Sequence, residues 1–492
     1  MDHIPQSIAR ARRRASSLAA AIRIVCLCAL LVACQSEPVI DIAPEVELEL
    51  VASPQPTAQE LVVLPTVKVD PLPTLEAPPP TSTVPPPPSP TPFDQDFGAI
   101  ISRDYVQPAT TTPRPTERPA ATAPLPTRPV NAITTAVPVD RTRLDRTQMG
   151  IQAYYNCDVF CWSNTLHQIT PLRVDWIKLQ ASWQWLQPDR PGQFDQNFQL
   201  FELHVQEAHK RGYKVLLSIA KAPQWARNYD RNEDGPPDDL NELHWFIHKL
   251  IETVGSYTDA IEIWNEPNLK REWTGDRPIS GASYMELFRV GYDAVRTYSP
   301  NLTVVTAGLA PTGNSSGLSV DDRDFLRQMY QAGLAEYTDV KIGIHPYSWG
   351  NPPDFLCCDN IEGQGWDDKP QFFFSQNIGD YSSIIAANGH NAPMWVTEFG
   401  WATWNDFPSL APEVWMAYNS ATDQSNYTLR AFQIGQSRAD VEVMFLWNLN
   451  FAYELAVHQR SELAAYSILF PRFDGSGNWR ERPLYQALAS RP

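Results

Sequence analysis

The sequence predicts an α/β fold, a (β/α)8 barrel, in the carboxyl-terminal part of the chain. Strand-like apolar runs alternate with amphipathic helical stretches from about residue 148 onward, which is the pattern of repeated βα units. Residues 146–492 are rich in aromatic side chains and long enough for eight such units around one core. Two of the runs end in a glutamate beside a turn residue, Glu266 and Glu398. We therefore expect residues 146–492 to form a single TIM barrel.

The amino-terminal segment, residues 1–33, is predicted to be a secretion signal. Arginines cluster between positions 10 and 14, and residues 24–33 form an apolar run that is too short to span a membrane. The run ends Leu-Val-Ala-Cys at Cys34, which resembles a bacterial lipobox. This resemblance implies a lipoprotein, extracytoplasmic and anchored through lipidated Cys34 at the cell surface or in the periplasm. The alternative is an ordinary cleaved signal peptide with an incidental cysteine.

Residues 34–145 are predicted to be a disordered linker rich in proline and threonine. Proline runs occur at 78–80 and 85–88, and all 16 tryptophans of the chain lie beyond this segment. A segment of this composition buries too little apolar surface to fold, and proline keeps it extended. We expect a stalk; a proline-rich ligand for small recognition modules is the alternative, and it fits poorly with export.

Eight strands are predicted in order along the barrel segment. They cover residues 150–154, 174–179, 214–219, 260–265, 302–306, 340–344, 394–397 and 441–447. Helical patterns between them include residues 197–211 and 242–254, and Asp238 and Asp239 are candidate caps for the second helix. Glu266 and Glu398 then follow strands four and seven, at the carboxyl-terminal face where barrels of this kind carry their active sites.

Two carboxylates at one barrel mouth suit the cleavage of a glycosidic bond. One carboxyl donates a proton to the leaving oxygen while the other acts as a nucleophile or base. The alternative without a function is that Glu266 and Glu398 are solvated charges at strand ends. Aromatic residues beside both positions favour the functional interpretation, so the sequence predicts a glycosidase.

The pair Asn265-Glu266 together with Glu398 resembles the hallmark of clan A of the glycoside hydrolases, with families 39 and 5 most similar. The resemblance covers the whole barrel segment. It implies that Glu266 is the acid/base, Glu398 the nucleophile and Asn265 the partner of the sugar 2-hydroxyl. It also implies retention of configuration, with the two carboxyl groups about 5–5.5 Å apart. We expect burial and the nearby Glu398 to raise the pKa of Glu266.

Other polar residues of the predicted site are His345, Tyr347 and Lys178. His345-Pro346-Tyr347 resembles the His-x-Tyr of the clan, so Tyr347 is expected to donate to Glu398 and His345 to support the site or contact sugar. Many clan members carry an arginine near Lys178 that holds the nucleophile. Lys178 either replaces it or pairs with Glu262, which we expect to point into the barrel and to need a partner.

Aromatic side chains at the barrel mouth are candidate sugar platforms. Trp447 follows strand eight, Trp273 follows the acid/base, and Trp225 follows strand three. Clan members often place a tryptophan under the sugar at the position of Trp447. Tryptophan is more often a core residue, and that interpretation stays open for each of the three.

Four cysteines remain once the predicted signal is removed: Cys157, Cys161, Cys357 and Cys358. Export favours disulfides, and local pairs, Cys157 with Cys161 and Cys357 with Cys358, are favoured over cross-pairing. A zinc site is the alternative, although the spacing lacks the paired pattern of zinc ligands.

The formal net charge of −17 argues against nucleic acid as a partner, and no Gly-rich phosphate loop or other cofactor motif is present. Residues 230–235 resemble the start of a calcium loop, but position twelve is Asn241, so a solvated loop without metal is expected. The predicted partners are a carbohydrate substrate and a membrane lipid anchor. A transglycosylase and a catalytically weak glycan-binding protein on the same barrel remain as alternatives.

Overall fold

A closed barrel of eight parallel strands forms the centre of the molecule in the computed structural model. The structure describes residues 143–228, 234–313, 315–358, 367–476 and 478–491. The barrel strands are β1 Met149–Gln152, β2 Trp176–Ser182, β3 Lys214–Ala220, β4 Ala260–Ile263, β5 Thr303–Thr306, β6 Val340–Ile344, β7 Met394–Phe399 and β8 Val441–Leu446. Each strand pairs with the next, and β1 pairs with β8. The eight predicted strands and the (β/α)8 fold are thus confirmed, with strand ends displaced by at most three residues.

Helices connect the strands on the outside of the barrel. The helices are α1 Val159–Ile169, α2 Trp183–Leu186, α3 Gln196–Lys210, α4 Leu240–Val254, α5 Gly281–Tyr298, α6 Asp322–Gln331, α7 Phe374–Ala387, α8 Ala421–Gln436, α9 Glu454–His458, α10 Glu462–Tyr466 and α11 Pro483–Ser490. A short antiparallel pair, β9 Leu469–Pro471 and β10 Trp479–Glu481, follows α10. Asp239 caps α4 by accepting from the backbone N–H of Asn241, as the sequence predicts. Within the described ranges, no helix has the length and apolarity needed to cross a membrane.

Alternation along the strands gives the barrel interior an apolar end and a polar end. Near the amino ends of the strands, a separate cluster of buried apolar side chains fills the interior, with Trp176 and Trp395 edge to face at 5.0 Å. Two residues further along β2, on the same face, lies Lys178. On β4, Glu262 likewise lies two residues after Ala260 and on the same face of the strand. The polar layer therefore lies directly beneath the carboxyl-terminal mouth.

The predicted signal peptide, Cys34 and nearly all of the predicted linker lie outside the described residues. Their assignment, and with it the division of the chain at residues 33 and 145, stays a prediction.

Candidate active site

Glu398, near the end of β7, has both carboxylate oxygens occupied. The Lys178 ammonium lies 3.0 Å from Oε1, and the Tyr347 hydroxyl donates to Oε2 at 2.9 Å. The contact between Tyr347 and Glu398 is the one expected from the sequence. A cation and a hydrogen-bond donor both favour the ionised form of a carboxyl group, which is the form a nucleophile needs.

The sequence left open whether Lys178 holds Glu398 or pairs with Glu262. In the structure its ammonium contacts both carboxylates. Its Nζ lies 3.0 Å from Glu262 Oε2 as well as 3.0 Å from Glu398 Oε1, and it donates to the Thr397 carbonyl at 3.3 Å. Burial lowers the pKa of Lys178, but the charges of Glu262 and Glu398 outweigh burial and the pKa lies above its ordinary value. Burial raises the pKa of Glu262, and the charge of Lys178 reverses this to a net lowering.

Glu266 lies just beyond β4, where the backbone turns sharply. Trp264 and Glu266 have φ values of 78° and 40°, a conformation that L-residues rarely adopt and that often marks a functional site. The Glu266 N–H donates to the Gly308 carbonyl at 3.1 Å, which fixes the turn against the segment after β5. The turn directs the Glu266 side chain to His345 rather than into the polar layer of β4.

Two positively polarised groups hold the Glu266 carboxylate. His345 Nδ1 lies 3.0 Å from Oε1, and Arg271 Nη2 lies 3.1 Å from Oε2. Burial raises the pKa of Glu266, but the hydrogen bond from His345 and the charge of Arg271 overcome it, so the pKa lies below the ordinary value. The expectation of a raised pKa is therefore wrong for the free protein, because no sequence pattern indicates that Arg271 reaches this carboxylate.

His345 is positioned by Thr397 and by the missing side chain at Gly308. With Glu266 ionised, Nδ1 donates to it, and Nε2 forms a hydrogen bond with the Thr397 hydroxyl at 3.1 Å. A Cβ at Gly308 would lie 2.2 Å from the imidazole, so only glycine leaves room for the ring. The histidine is fully buried and has one available orientation.

One carboxylate oxygen of Glu266, one of Glu398 and one imidazole nitrogen of His345 all lie within 4.8 Å of one another. Such a group has the composition of a metal site. Here each carboxylate already has a cationic partner from the chain itself, Arg271 for Glu266 and Lys178 for Glu398. The close approach of the two carboxylates is therefore balanced by protein charges, and it does not require an ion.

Asn265 and Trp447 lie beside this group. Asn265 is buried, and its Oδ1 has no hydrogen-bond partner among the residues that the structure describes. A buried acceptor without a donor is rare and leaves a position for a ligand hydroxyl. Trp447 packs edge to face against Tyr347 at 6.3 Å and against Tyr466 at 4.9 Å.

The other two predicted platforms lie in the hydrophobic packing. Trp273 is buried against Trp264 and Tyr284 and donates its indole N–H to the Pro278 carbonyl. Trp225 is half-buried, donates to the Gln187 carbonyl at 2.9 Å and packs edge to face on Trp183. No ring contact or hydrogen bond within the described ranges joins either tryptophan to the two glutamates. Sugar contact by Trp273 and Trp225 stays a prediction.

Disulfides link Cys157 to Cys161 and Cys357 to Cys358, the two local pairs that the sequence favours. Of the calcium-like segment 230–235, positions 230–233 lie outside the described residues. Asp234 is described and forms an ion pair with Lys221 at 2.7 Å.

Sequence reasoning missed the contributions of Arg271, Gly308, Thr397 and Glu462. Arg271 Nη1 lies 3.9 Å from Glu462 Oε1, so the charge cluster extends to α10. The sequence does contain an indication for Gly308, because a glycine two residues after a barrel strand indicates that another group approaches the backbone closely. Arg271 and Glu462 had no comparable signal, since each lies in a short helix that the sequence pattern does not define.

The barrel resembles those of several solved glycoside hydrolases. A family 39 glycoside hydrolase from the gut symbiont Bacteroides cellulosilyticus WH2 is 18% identical, with a TM-score of 0.51 over 70% of this chain and 62% of that one. A family 39 β-xylosidase from Caulobacter crescentus is 14% identical, with a TM-score of 0.46 over 71% of this chain and 72% of that one. A family 5 glycoside hydrolase from Streptomyces cattleya, in complex with Manβ1-4GlcNAc, is 12% identical, with a TM-score of 0.49 over 70% of this chain and 79% of that one.

The chain spans 62% of the length of the Bacteroides structure. No protein-family model and no curated protein sequence matches this chain. At these identities the likeness defines the fold, a (β/α)8 barrel of the kind found in clan A glycoside hydrolases.

Proposed function

We propose that the protein is a retaining glycosidase that hydrolyses a β-linked oligosaccharide or polysaccharide. The observation that carries this proposal is the pair of buried carboxylates, Glu266 and Glu398, with oxygens within 4.8 Å of each other at the carboxyl-terminal mouth of the barrel. Retaining glycosidases hold their carboxyl groups about 5–5.5 Å apart, whereas inverting ones leave about 6.5–9.5 Å for a water molecule. The short separation favours direct attack by one carboxylate.

The two carboxylates have different surroundings, and these assign the roles. Glu398, which Lys178 and Tyr347 contact, attacks the anomeric carbon as a carboxylate while Glu266 gives its proton to the departing glycosidic oxygen. A covalent glycosyl–enzyme results. Glu266, now a carboxylate, then removes a proton from water as that water attacks the anomeric carbon and releases Glu398. The sugar 2-hydroxyl would donate to the open Oδ1 of Asn265.

Activity is tested on β-glucans, xylans, mannans, galactans and bacterial exopolysaccharides by reducing-sugar release. Glu398→Gln and Glu266→Gln should each lower the rate by at least about 10³-fold, because each removes a group that acts in the transition state. Activity that survives either substitution contradicts the assignment. Product analysis separates hydrolysis from transglycosylation, and binding without turnover by the unsubstituted protein would favour a glycan-binding role.

Azide distinguishes the roles of the two glutamates. With an aryl β-glycoside of the sugar so identified, azide should restore turnover of Glu398→Ala and yield the α-glycosyl azide. With Glu266→Ala it should yield the β-glycosyl azide, because the covalent intermediate still forms on Glu398. The anomeric configuration is measured by proton NMR. Inverted products from the unsubstituted protein would contradict retention.

The predicted lipobox would hold this activity at a membrane surface. Cys34→Ser should move the protein from the membrane fraction to the soluble fraction of the producing bacterium. Retention in the membrane fraction would contradict lipid anchoring through Cys34.

A further inference from the structure

Arg271 covers the carboxylate that we propose as the acid. Its side chain is 25% exposed, whereas that of Glu266 is 1% exposed, so an incoming ligand meets Arg271 first. Arg271 Nη2 holds Glu266 Oε2 at 3.1 Å, and His345 Nδ1 holds Oε1 at 3.0 Å. Both oxygens are therefore engaged. Glu266 must gain a proton before it can give one to a glycosidic oxygen, and both donors oppose this protonation.

Of the two donors, Arg271 is the one with a second carboxylate, Glu462, within reach. It lies in the one-turn helix Lys270–Glu272, and its Nε has no hydrogen-bond partner among the described residues. Its Nη1 lies 3.9 Å from Glu462 Oε1, on α10. A shift of about 1 Å would bring the two into hydrogen-bonding distance. His345, by contrast, is fully buried and fixed by Thr397.

We propose that Arg271 is a cap on Glu266 that substrate displaces. In the free protein Arg271 holds Glu266 as a carboxylate, and the sugar on the leaving-group side moves the guanidinium to Glu462. Glu266 then takes up one proton from water, and this proton passes to the glycosidic oxygen as the C–O bond breaks. The inference rests on the proposed function, and in it Arg271 and Glu462 are positioning residues that act through Glu266.

The surroundings of Glu266 support a change of protonation on displacement. His345 and Arg271 favour the carboxylate. Burial favours the neutral form, and so does the charge of Glu398 on β7. Glu272, next to Arg271, and Tyr347 and Tyr466 complete the titratable groups that face this position. Once Arg271 leaves, His345 is the hydrogen-bond donor that still opposes protonation among the described residues.

The pH profiles of two substitutions give the test, because they should move in opposite directions. The alkaline limb of kcat/KM reports the acid in the free enzyme, and that of kcat reports it in the substrate complex. Arg271→Met should move the limb of kcat/KM upward by about one unit or more, since an adjacent opposite charge is lost. Glu462→Gln should lower kcat and move its limb downward, because Arg271 then has no second partner.

Lys270→Met is the matched control. It removes a cation from the same turn, but the Lys270 side chain is exposed and makes no ion pair within the described part of the chain. The alkaline limbs of kcat/KM and of kcat should both keep the positions that they have in the unsubstituted protein. An equal shift in Lys270→Met and Arg271→Met, or a shift of the same sign in Arg271→Met and Glu462→Gln, would overturn the cap.

A substrate-free measurement separates this inference from the proposed function. In protein labelled with ¹³C at glutamate carboxyl groups, the resonance lost in Glu266→Gln should titrate at higher pH in Arg271→Met. If the polymers are cleaved but this titration does not move, the cap is wrong and the glycosidase stands. If no polymer is cleaved, the proposed function fails and the cap fails with it, whatever the titration shows.

Discussion

At the scale of single residues, the charge balance of the site depends on Lys178. Its ammonium is the cation between two buried carboxylates and lies 3.0 Å from an oxygen of Glu262 and 3.0 Å from an oxygen of Glu398. An arginine could bind one of them with a planar fork, whereas three ammonium donors fit two carboxylates and one carbonyl on different strands. The position of Glu262 beside Glu398 thus explains why a lysine fits here.

Removal of the Lys178 charge should be costly for both stability and activity. Lys178→Met leaves Glu262 and Glu398 buried together, so we expect a loss of about 3–5 kcal/mol in the free energy of unfolding. Glu398 also loses the cation beside its Oε1, so we expect kcat to fall. Urea unfolding and pH–rate profiles measure the two effects. Lys178→Met with Glu262→Met should recover part of the stability; a further loss would contradict the charge-balance argument.

At the scale of elements, the segment after β5 shapes the site through the absence of a side chain. Gly308→Ala would place a methyl group 2.2 Å from the His345 imidazole and 2.7 Å from Thr397 Oγ1. The ring has no free space, so we expect a loss of about 1–3 kcal/mol in stability and of about 10²-fold in kcat/KM. Gly379→Ala on α7 is the control, because no atom lies within 4 Å of the added methyl group. Equal effects of the two substitutions would contradict the close-packing argument.

The strands could be predicted from the sequence, whereas the turn after β4 could not. The strands and the positions of Glu266 and Glu398 are predictable because period-two apolar runs end at turn residues, and parallel strands bring their carboxyl ends to one face. The ion pair between Arg271 and Glu266 is not predictable. It depends on positive φ angles at Trp264 and Glu266, which reverse the chain within a few residues. Neither residue is a glycine, so the sequence carries no sign of that reversal.

At the scale of the whole molecule, two buried carboxyl groups, one far from the site and one beside it, contribute to the pH dependence of stability. Asp322, the first residue of α6, is fully buried, and Asn377 donates to its Oδ2 at 3.0 Å. Burial, with the charge of Asp321, raises the pKa of Asp322 to about 7. Burial also raises the pKa of Glu272 to about 8. Both groups stay protonated in the folded protein at a pH where the unfolded chain has already released their protons.

The sign of the effect follows from proton counting. Between about pH 4 and pH 7 the folded state holds more protons than the unfolded state, so the free energy of unfolding should fall as pH rises. Asp322→Asn cannot release a proton, and it should flatten this slope and be more stable than the unsubstituted protein at pH 8. Urea unfolding at pH 5, 6, 7 and 8 measures the slope. Asp324→Asn, on the exposed side of the same helix, should keep it. Glu272 keeps part of the slope in Asp322→Asn, so a slope as steep as that of the unsubstituted protein would mean that the Asp322 carboxyl group is ionised in the folded protein.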